Sequence, residues 1–185
     1  MNHLATSKED ILAASRDLIK ENGWAAVSIR AVASRCSVSA GTIYNYYESK
    51  ADLLSDTIES IWHEIFFHPE DEQIFHDVES CILWIYERLE YGNRQFPGFF
   101  SLHSFGFMRD EKTSGKKRMM KTWGHILNGL CEVLENDPKV RADVFDQEFT
   151  EKKFADILFS LILVSMIRQD YDPSSVLMLV KKTLY

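Results

Sequence analysis

The sequence has few cysteines, and none of them lie close together. Cys36, Cys81 and Cys131 are the only three in 185 residues, and no Cys-x-x-Cys pair occurs. We therefore expect buried free thiols in a protein from a reducing compartment. A redox-sensing role for one of them stays open, because reactivity depends on exposure and on a lowered thiol pKa.

The motifs of common enzyme classes are also missing. The sequence contains no Gly-x-Ser-x-Gly, no phosphate-binding loop and no His-Glu-x-x-His. His63 and His68 are five residues apart, and this spacing does not place both on one helical face for a metal. We predict that the chain is not an enzyme and that it has no metal site and no cofactor.

Long apolar runs are absent as well. The longest uncharged apolar stretch, residues 157–167, is well short of the roughly 18–20 residues that a membrane span requires. The N-terminus does not resemble a signal peptide. Together these absences predict a cytoplasmic protein with no membrane partner.

Strand-period alternation, internal repeats and low-complexity tracts do not occur, whereas helical periodicity recurs along the chain. We predict an all-α fold of about nine helices. The longer helices after the first 50 residues are expected near 50–67, 71–91, 114–135 and 150–169. Asp137-Pro138 is expected to start a short helix.

The formal charge of −7 is unevenly distributed along the chain. Residues 1–50 hold six Lys or Arg against five Asp or Glu, whereas residues 51–185 hold fifteen against twenty-three. The N-terminal part is mildly basic and the remainder is acidic. This balance argues against a protein that coats nucleic acid through charge alone.

Two short amphipathic helices joined by a tight turn begin after Ser28. Ser28 is a good N-cap for the first helix, whose inward stripe starts at Ile29. Ser39 caps the second helix, in which Ile43 and Tyr47, four residues apart, point toward the same interior. The spacing predicts a helix-turn-helix.

The outward side of the second helix carries small or hydrogen-bonding residues. A rotation of about 100° per residue places Gly41 and Asn45 outward, with Thr42 and Tyr44 on the flanks and Tyr46 at the margin. Such residues allow close approach and suit phosphates and base edges, whereas a solvated helix face usually carries Lys and Glu. Asparagine can bind adenine through two hydrogen bonds in the major groove. The pattern favours DNA binding.

Lys50 lies in the first turn of the next helix, after the expected cap Ser49. A cation at that position opposes the helix dipole. A phosphate contact would account for it, and a solvated lysine is the alternative.

These residues resemble the TetR family of bacterial transcription regulators. The resemblance covers roughly the first 65 residues and combines many positions in three helices. It rests on Ile11, Ala14, Leu18, Gly23, Ser28, Ile29, Arg30, Val32, Ala33, Val38, Ser39, Gly41, Thr42, Ile43, Tyr44, Tyr46, Tyr47, Ser49, Lys50, Leu53 and Leu54. It implies a helix-turn-helix DNA-binding domain over residues 1–49 and a helical effector-binding and dimerisation domain over residues 50–185.

The resemblance assigns roles to individual residues. Tyr44, Tyr46 and Lys50 would contact backbone phosphates. Thr42, Asn45 and Arg30 would contact base edges or neighbouring phosphates. The complete expected DNA-binding set is Ser28, Arg30, Ser39, Ala40, Gly41, Thr42, Tyr44, Asn45, Tyr46 and Lys50.

Two positions depart from the family pattern. Ser37 stands in the turn where the family commonly has glycine, so we expect either a left-handed serine or a slightly remodelled turn. Ala40 stands where a basic residue is often found, which removes one electrostatic contact. Weaker binding, or greater dependence on a second subunit, is the expected consequence.

By the same resemblance, the last two helices form a four-helix dimer interface. The penultimate helix is apolar on most of its circumference, more than one packing face needs, although a central helix of a monomer is the alternative. A two-fold dimer would present two recognition helices to a pseudo-palindromic operator. The expected interface residues are Phe154, Ile157, Leu158, Leu161, Ile162, Ser165, Val176, Leu177 and Val180.

The resemblance also implies a repressor that a small molecule releases from its operator. The effector is expected to be mostly apolar and to bind among the central helices, although aromatic stripes also form plain cores. An alternative is a C-terminal domain that binds a protein partner. The candidate pocket residues are Trp62, Phe66, Trp84, Phe99, Phe100, His103, Phe107, Trp123 and His125.

Overall fold

The structure is a computed structural model that describes residues 6–66, 75–100 and 114–185, with the backbone alone for 114–122. Every regular element in these ranges is helical, and eight of them are α-helices. The all-α prediction is confirmed.

The helices follow the predicted order along the chain. The first part contains α1 (Lys8–Asn22), a 3₁₀ turn (Trp24–Ala26), α2 (Ile29–Arg35), α3 (Ala40–Tyr44) and α4 (Lys50–Phe66). The remainder contains α5 (Val78–Gln95), α6 (Ser114–Asn136), α7 (Glu151–Arg168) and α8 (Ser174–Leu184).

The chain divides into two compact units. The first comprises Met1–His68 and Gln95–Pro97, and the second comprises Pro69–Arg94 and Gly98–Tyr185. Helix α4 therefore belongs to the first unit, where it packs against α1. The expected boundary after residue 49 instead assigns α4 to the second domain.

Helix α1 holds the first unit together through apolar and ionic contacts. It packs against both α2 and α4, and Ile11 and Ile19 on its inner side are at most 1% exposed. Glu64 of α4 pairs with two cations of α1, with its carboxylate 3.0 Å from Arg16 Nε and 2.6 Å from Lys20 Nζ. These pairs fix the side-by-side arrangement of α1 and α4.

The second unit contains the packed pair α6 and α7. The short helix expected after Asp137-Pro138 is not formed, and residues 137–150 adopt turns and bends. The Asp137 carboxylate instead accepts hydrogen bonds from the N–H groups of Val78 and Lys139, each at 2.9 Å, and from the Tyr185 hydroxyl at 2.6 Å. These bonds join the start of α5 to the C-terminal residue.

Candidate DNA interface

The turn between α2 and α3 is closed by a serine in the left-handed region. Ser37 has a φ of 57°, which agrees with the first of the two expected conformations. The N–H of Val38 donates to the Ala33 carbonyl at 2.9 Å, and the N–H of Ser37 donates to the Ser34 carbonyl at 3.1 Å. This is a Schellman motif, in which glycine usually occupies the position of Ser37. The sequence feature that pointed to this conformation was the serine at position 37, where the family commonly has glycine.

Both short helices are capped as their sequences predict. The Ser28 hydroxyl accepts from the Ala31 N–H at 3.2 Å, and the Ser39 hydroxyl accepts from the Thr42 N–H at 3.2 Å. Ile43 is fully buried. Since α3 has only five residues and one buried side chain, its orientation depends on contacts at its two ends.

The outward face of α3 is formed by the residues that its period predicts. Gly41 and Asn45 are exposed, and Tyr44 is 56% exposed. Ala40 and Thr42 are half-buried, and the Thr42 hydroxyl lies 3.1 Å from the Ser39 hydroxyl. The result is a polar surface with one large aromatic ring.

The described chain has room for a side chain at Gly41. A Cβ added there would meet only the Ser39 Oγ, at an ordinary contact distance of 3.6 Å. Glycine within a helix is less favourable than alanine by roughly 1 kcal/mol. The packing of the described chain therefore does not explain the absence of a side chain at Gly41.

Two exposed cations precede and follow α3 in the chain. Arg30, in the first turn of α2, and Lys50, the first residue of α4, are both exposed. Neither has an acidic partner within the part of the chain that the structure describes. The third cation of the region differs, because the Arg35 guanidinium forms a two-point pair with the Glu21 carboxylate, with one contact of 2.9 Å. This pair lowers the pKa of Glu21 and raises that of Arg35.

Tyr46 differs from the other outward residues. Its side chain is half-buried, and its hydroxyl donates to the Thr6 carbonyl at 2.7 Å. Sequence reasoning missed this bond, as it missed the Arg35–Glu21 pair, because helical period carries no information on contacts between separate elements.

The region built from these helices matches a known family. Residues 11–57 match the family model described as bacterial regulatory proteins, tetR family. The curated HTH-type transcriptional regulator UidR of Escherichia coli K12 is 38% identical over 48 residues, which are 26% of this chain and 24% of UidR. The chain is similar to the TetR family over this N-terminal segment. It spans about a quarter of the length of the curated relatives that it matches.

Solved structures with the TetR-family fold resemble nearly the whole chain. A TetR regulator from Haloarcula marismortui has a TM-score of 0.71 at 16% identity, covering 96% of this chain and 98% of that one. Reduced NemR from E. coli scores 0.64 at 18% identity, covering 96% and 97%. FadR from Bacillus subtilis, solved with stearoyl-CoA, scores 0.60 at 15% identity, covering 91% and 88%. At these identities the likeness shows the fold.

The structure describes seven of the nine expected effector-pocket residues. Trp62 and Phe66 stack within α4 of the first unit, with ring centroids 5.6 Å apart. In the second unit, the Trp84 ring lies next to Phe75, and the Trp123 ring lies next to Phe159. The Phe99 and Phe100 rings lie next to each other, and Phe100 also lies next to Tyr171. His125 is exposed, and His103 and Phe107 lie outside the described residues. A groove of about 460 Å³ lies between α1 and α4.

The expected interface residues also separate into two groups. Phe154, Leu158, Ile162, Val176 and Val180 are all at most 6% exposed. Their side chains are already covered by their own chain. Leu161, Leu177 and Ser165 are half-buried, and Ile157 is 44% exposed. Ile157 therefore offers the largest free apolar surface of the set.

The three cysteines are free. Burial raises the pKa of the Cys81 thiol to about 12, and it also raises the pKa values of Cys36 and Cys131, which are half-buried. Raised values keep all three thiols protonated near neutral pH, the opposite of a reactive thiolate. Among the described helices, none is long and apolar enough to cross a membrane.

Proposed function

We propose that this protein is a TetR-family transcription regulator that binds a pseudo-palindromic operator as a dimer. It represses by occupying the operator and leaves it when a small, mostly apolar effector binds. One observation carries the DNA-binding part. Gly41, Tyr44 and Asn45 are exposed on α3, and the exposed cations Arg30 and Lys50 precede and follow them in the segment that matches the family.

Each residue of this face suits a different part of DNA. Arg30 and Lys50 provide the charge that neutralises phosphates, and the exposed Tyr44 hydroxyl can donate to a phosphate oxygen. Asn45 carries an exposed amide that can both donate and accept, as contact with an adenine edge requires. Gly41 permits the backbone of α3 to come close to the groove.

Salt dependence tests the phosphate contacts. For Lys50→Gln and for Arg30→Gln, we expect weaker binding to every duplex and a smaller slope of log affinity against log salt. Each neutralised phosphate contributes about 0.9 to that slope, so one substitution in both subunits of a dimer should reduce it by about 1.8. Fluorescence anisotropy with an arbitrary 30-base-pair duplex at several salt concentrations measures this change.

Two further variants separate base contacts from charge. Asn45→Ala should change which sequences the protein selects from a randomised duplex pool while leaving the salt slope unchanged. Arg94→Gln removes an exposed cation from α5 and should change neither property. Equal slopes for wild type, Lys50→Gln and Arg30→Gln would contradict the proposed interface.

Exposed apolar side chains support the dimer. The described residues include six large apolar side chains that are at least 36% exposed, and four of them lie on α7 and α8. Ile157 and Val164 are seven residues apart on α7, which places them on one face. Met178 and Leu179 are neighbours on α8. Covering these faces with a second copy would bury apolar area that a monomer leaves in water.

The second unit also contains polar groups that suit an effector. The Tyr171 hydroxyl and the Trp123 indole N–H are buried without a hydrogen-bond partner in the described part of the chain, and burial raises the pKa of Tyr171 to about 12. Each can donate to a ligand that is otherwise apolar. B. subtilis FadR, which shares the fold, was solved with stearoyl-CoA, so this compound is a suitable first probe.

Ligand binding is expected to raise the melting temperature and to lower affinity for the selected duplex. At a concentration about 100-fold above Kd, stearoyl-CoA or another mostly apolar ligand should raise the melting temperature by about 5–10 °C. Tyr171→Phe should reduce that shift without lowering the melting temperature of the free protein. If no ligand in such a screen changes either property, the effector part of the proposal fails and the DNA-binding part remains.

A further inference from the structure

Three tyrosines follow one another closely at the end of the recognition helix α3, and their surroundings differ. Tyr44 is 56% exposed, and Tyr47 is 3% exposed, with the Lys8 ammonium 5.7 Å from its ring centroid. Tyr46 is half-buried, and its hydroxyl lies 2.7 Å from the carbonyl oxygen of Thr6. Of the three, only Tyr44 is more than half exposed.

We propose that Tyr46 is a positioning residue, which fixes the recognition helix to the start of α1, and that it does not bind a phosphate. This inference rests on the proposed DNA-binding function. A tyrosine hydroxyl has one proton to donate, and the oxygens of a phosphodiester can only accept. Since the Tyr46 proton already goes to Thr6, a phosphate contact would require this bond to break and would leave the Thr6 carbonyl without its donor.

The acceptor is itself held firmly. Thr6 is 6% exposed, and it directly precedes the capping box that starts α1. In that box the Ser7 N–H donates to the Asp10 carboxylate at 2.8 Å, and the Asp10 N–H donates to the Ser7 hydroxyl at 3.1 Å. The Cys36 thiol, at the end of α2, lies 3.8 Å from the Asp10 carbonyl. It therefore adjoins the corner formed by Thr6, Ser7 and Asp10. Tyr46 is thus tied to a fixed point.

The same corner reaches α4. Lys8, two residues after Thr6, pairs with Asp56 of α4 at 2.6 Å while its ammonium faces the Tyr47 ring. Residues 6–8 therefore contact both the segment after α3 and helix α4. Because α3 buries only Ile43, these contacts at its C-terminal end set the angle at which it meets DNA.

A pair of matched substitutions tests the role of Tyr46. Tyr44→Phe and Tyr46→Phe each remove one hydroxyl, and binding is measured to a selected duplex in which single phosphates are replaced by neutral methylphosphonates. In wild type, replacement of a contacted phosphate weakens binding. Tyr44→Phe should abolish the penalty at its own phosphate. Tyr46→Phe should weaken binding overall but preserve the penalty at every phosphate.

A second measurement needs no DNA. In a Cys131→Ser background, Cys36 is the more exposed of the two remaining thiols, and its reaction with Ellman's reagent reports on the corner around Thr6. Loss of one hydrogen bond changes an opening equilibrium by about fivefold, so Tyr46→Phe should accelerate the reaction by about that factor. Tyr44→Phe should leave the rate unchanged.

The outcomes decide between the two roles. Loss of a phosphate penalty in Tyr46→Phe, or an unchanged Cys36 rate, would overturn the positioning role. If wild type binds no duplex DNA, the proposed function fails instead, and the Cys36 rate still decides whether Tyr46 holds the corner closed.

Discussion

Ile157→Glu is expected to convert the dimer into a monomer and to lower affinity for a duplex with two half-sites by at least about 100-fold. Linking two binding modules raises affinity by about 10²–10⁴, and a monomer loses that gain. Ile157 is 44% exposed on α7, so the substitution disturbs little within its own chain. An unpaired carboxylate in an apolar interface costs several kcal/mol. Sedimentation and anisotropy on duplexes with one and two half-sites measure both effects.

The chain offers a closely matched control for this substitution. Leu83 on α5 is 42% exposed, almost the same as Ile157, and lies outside α7 and α8. Leu83→Glu should leave the protein dimeric and its operator affinity unchanged. The interface would have to be placed elsewhere if Leu83→Glu produced monomers and Ile157→Glu did not. In both variants, affinity for a single half-site should remain close to the wild-type value.

The helix-turn-helix was predictable because its determinants are local. The caps at Ser28 and Ser39 follow from bonds between residues three apart. The inward position of Ile43 follows from the helical period. Even the left-handed conformation of Ser37 could be expected, because the turn requires a left-handed residue at this position whether or not that residue is glycine.

The contacts that orient these elements were not predictable in the same way. Tyr46 and Thr6 are 40 residues apart, and Arg35 and Glu21 are 14 apart. Each pair meets only after the helices have packed. A local pattern therefore placed Tyr46 at the margin of the outward face but could not show that its hydroxyl is already bonded to Thr6.

The interface face of helix α7 could not be read from its sequence for another reason. Apolar residues surround most of its circumference, so no period distinguishes the face that packs inside the chain from the face left exposed. The structure buries Leu158 and Ile162 and leaves Ile157 and Val164 more than 40% exposed. The predicted interface set mixed both faces. The exposed residues alone support a second copy of the chain.

Gly41→Ala is expected to change stability and DNA affinity in opposite directions. Alanine favours the helix over glycine by about 0.5–1 kcal/mol, and the new Cβ makes only an ordinary contact with Ser39. The free energy of unfolding should therefore rise by about that amount. Affinity should fall by at least about fivefold, since overpacking a tight contact costs about 1–3 kcal/mol. Urea unfolding and anisotropy on the selected duplex give the two values.

Gly129→Ala separates the effect on folding from the effect on DNA. Gly129 lies inside α6, and an added Cβ meets nothing within 4 Å there, so this variant should be more stable with unchanged affinity. A Gly41→Ala protein that is destabilised would mean that the chain itself requires the glycine. A stabilised variant with full affinity would mean that DNA does not approach α3 at this point. Only a gain in stability together with a loss of affinity assigns the missing side chain to the DNA contact.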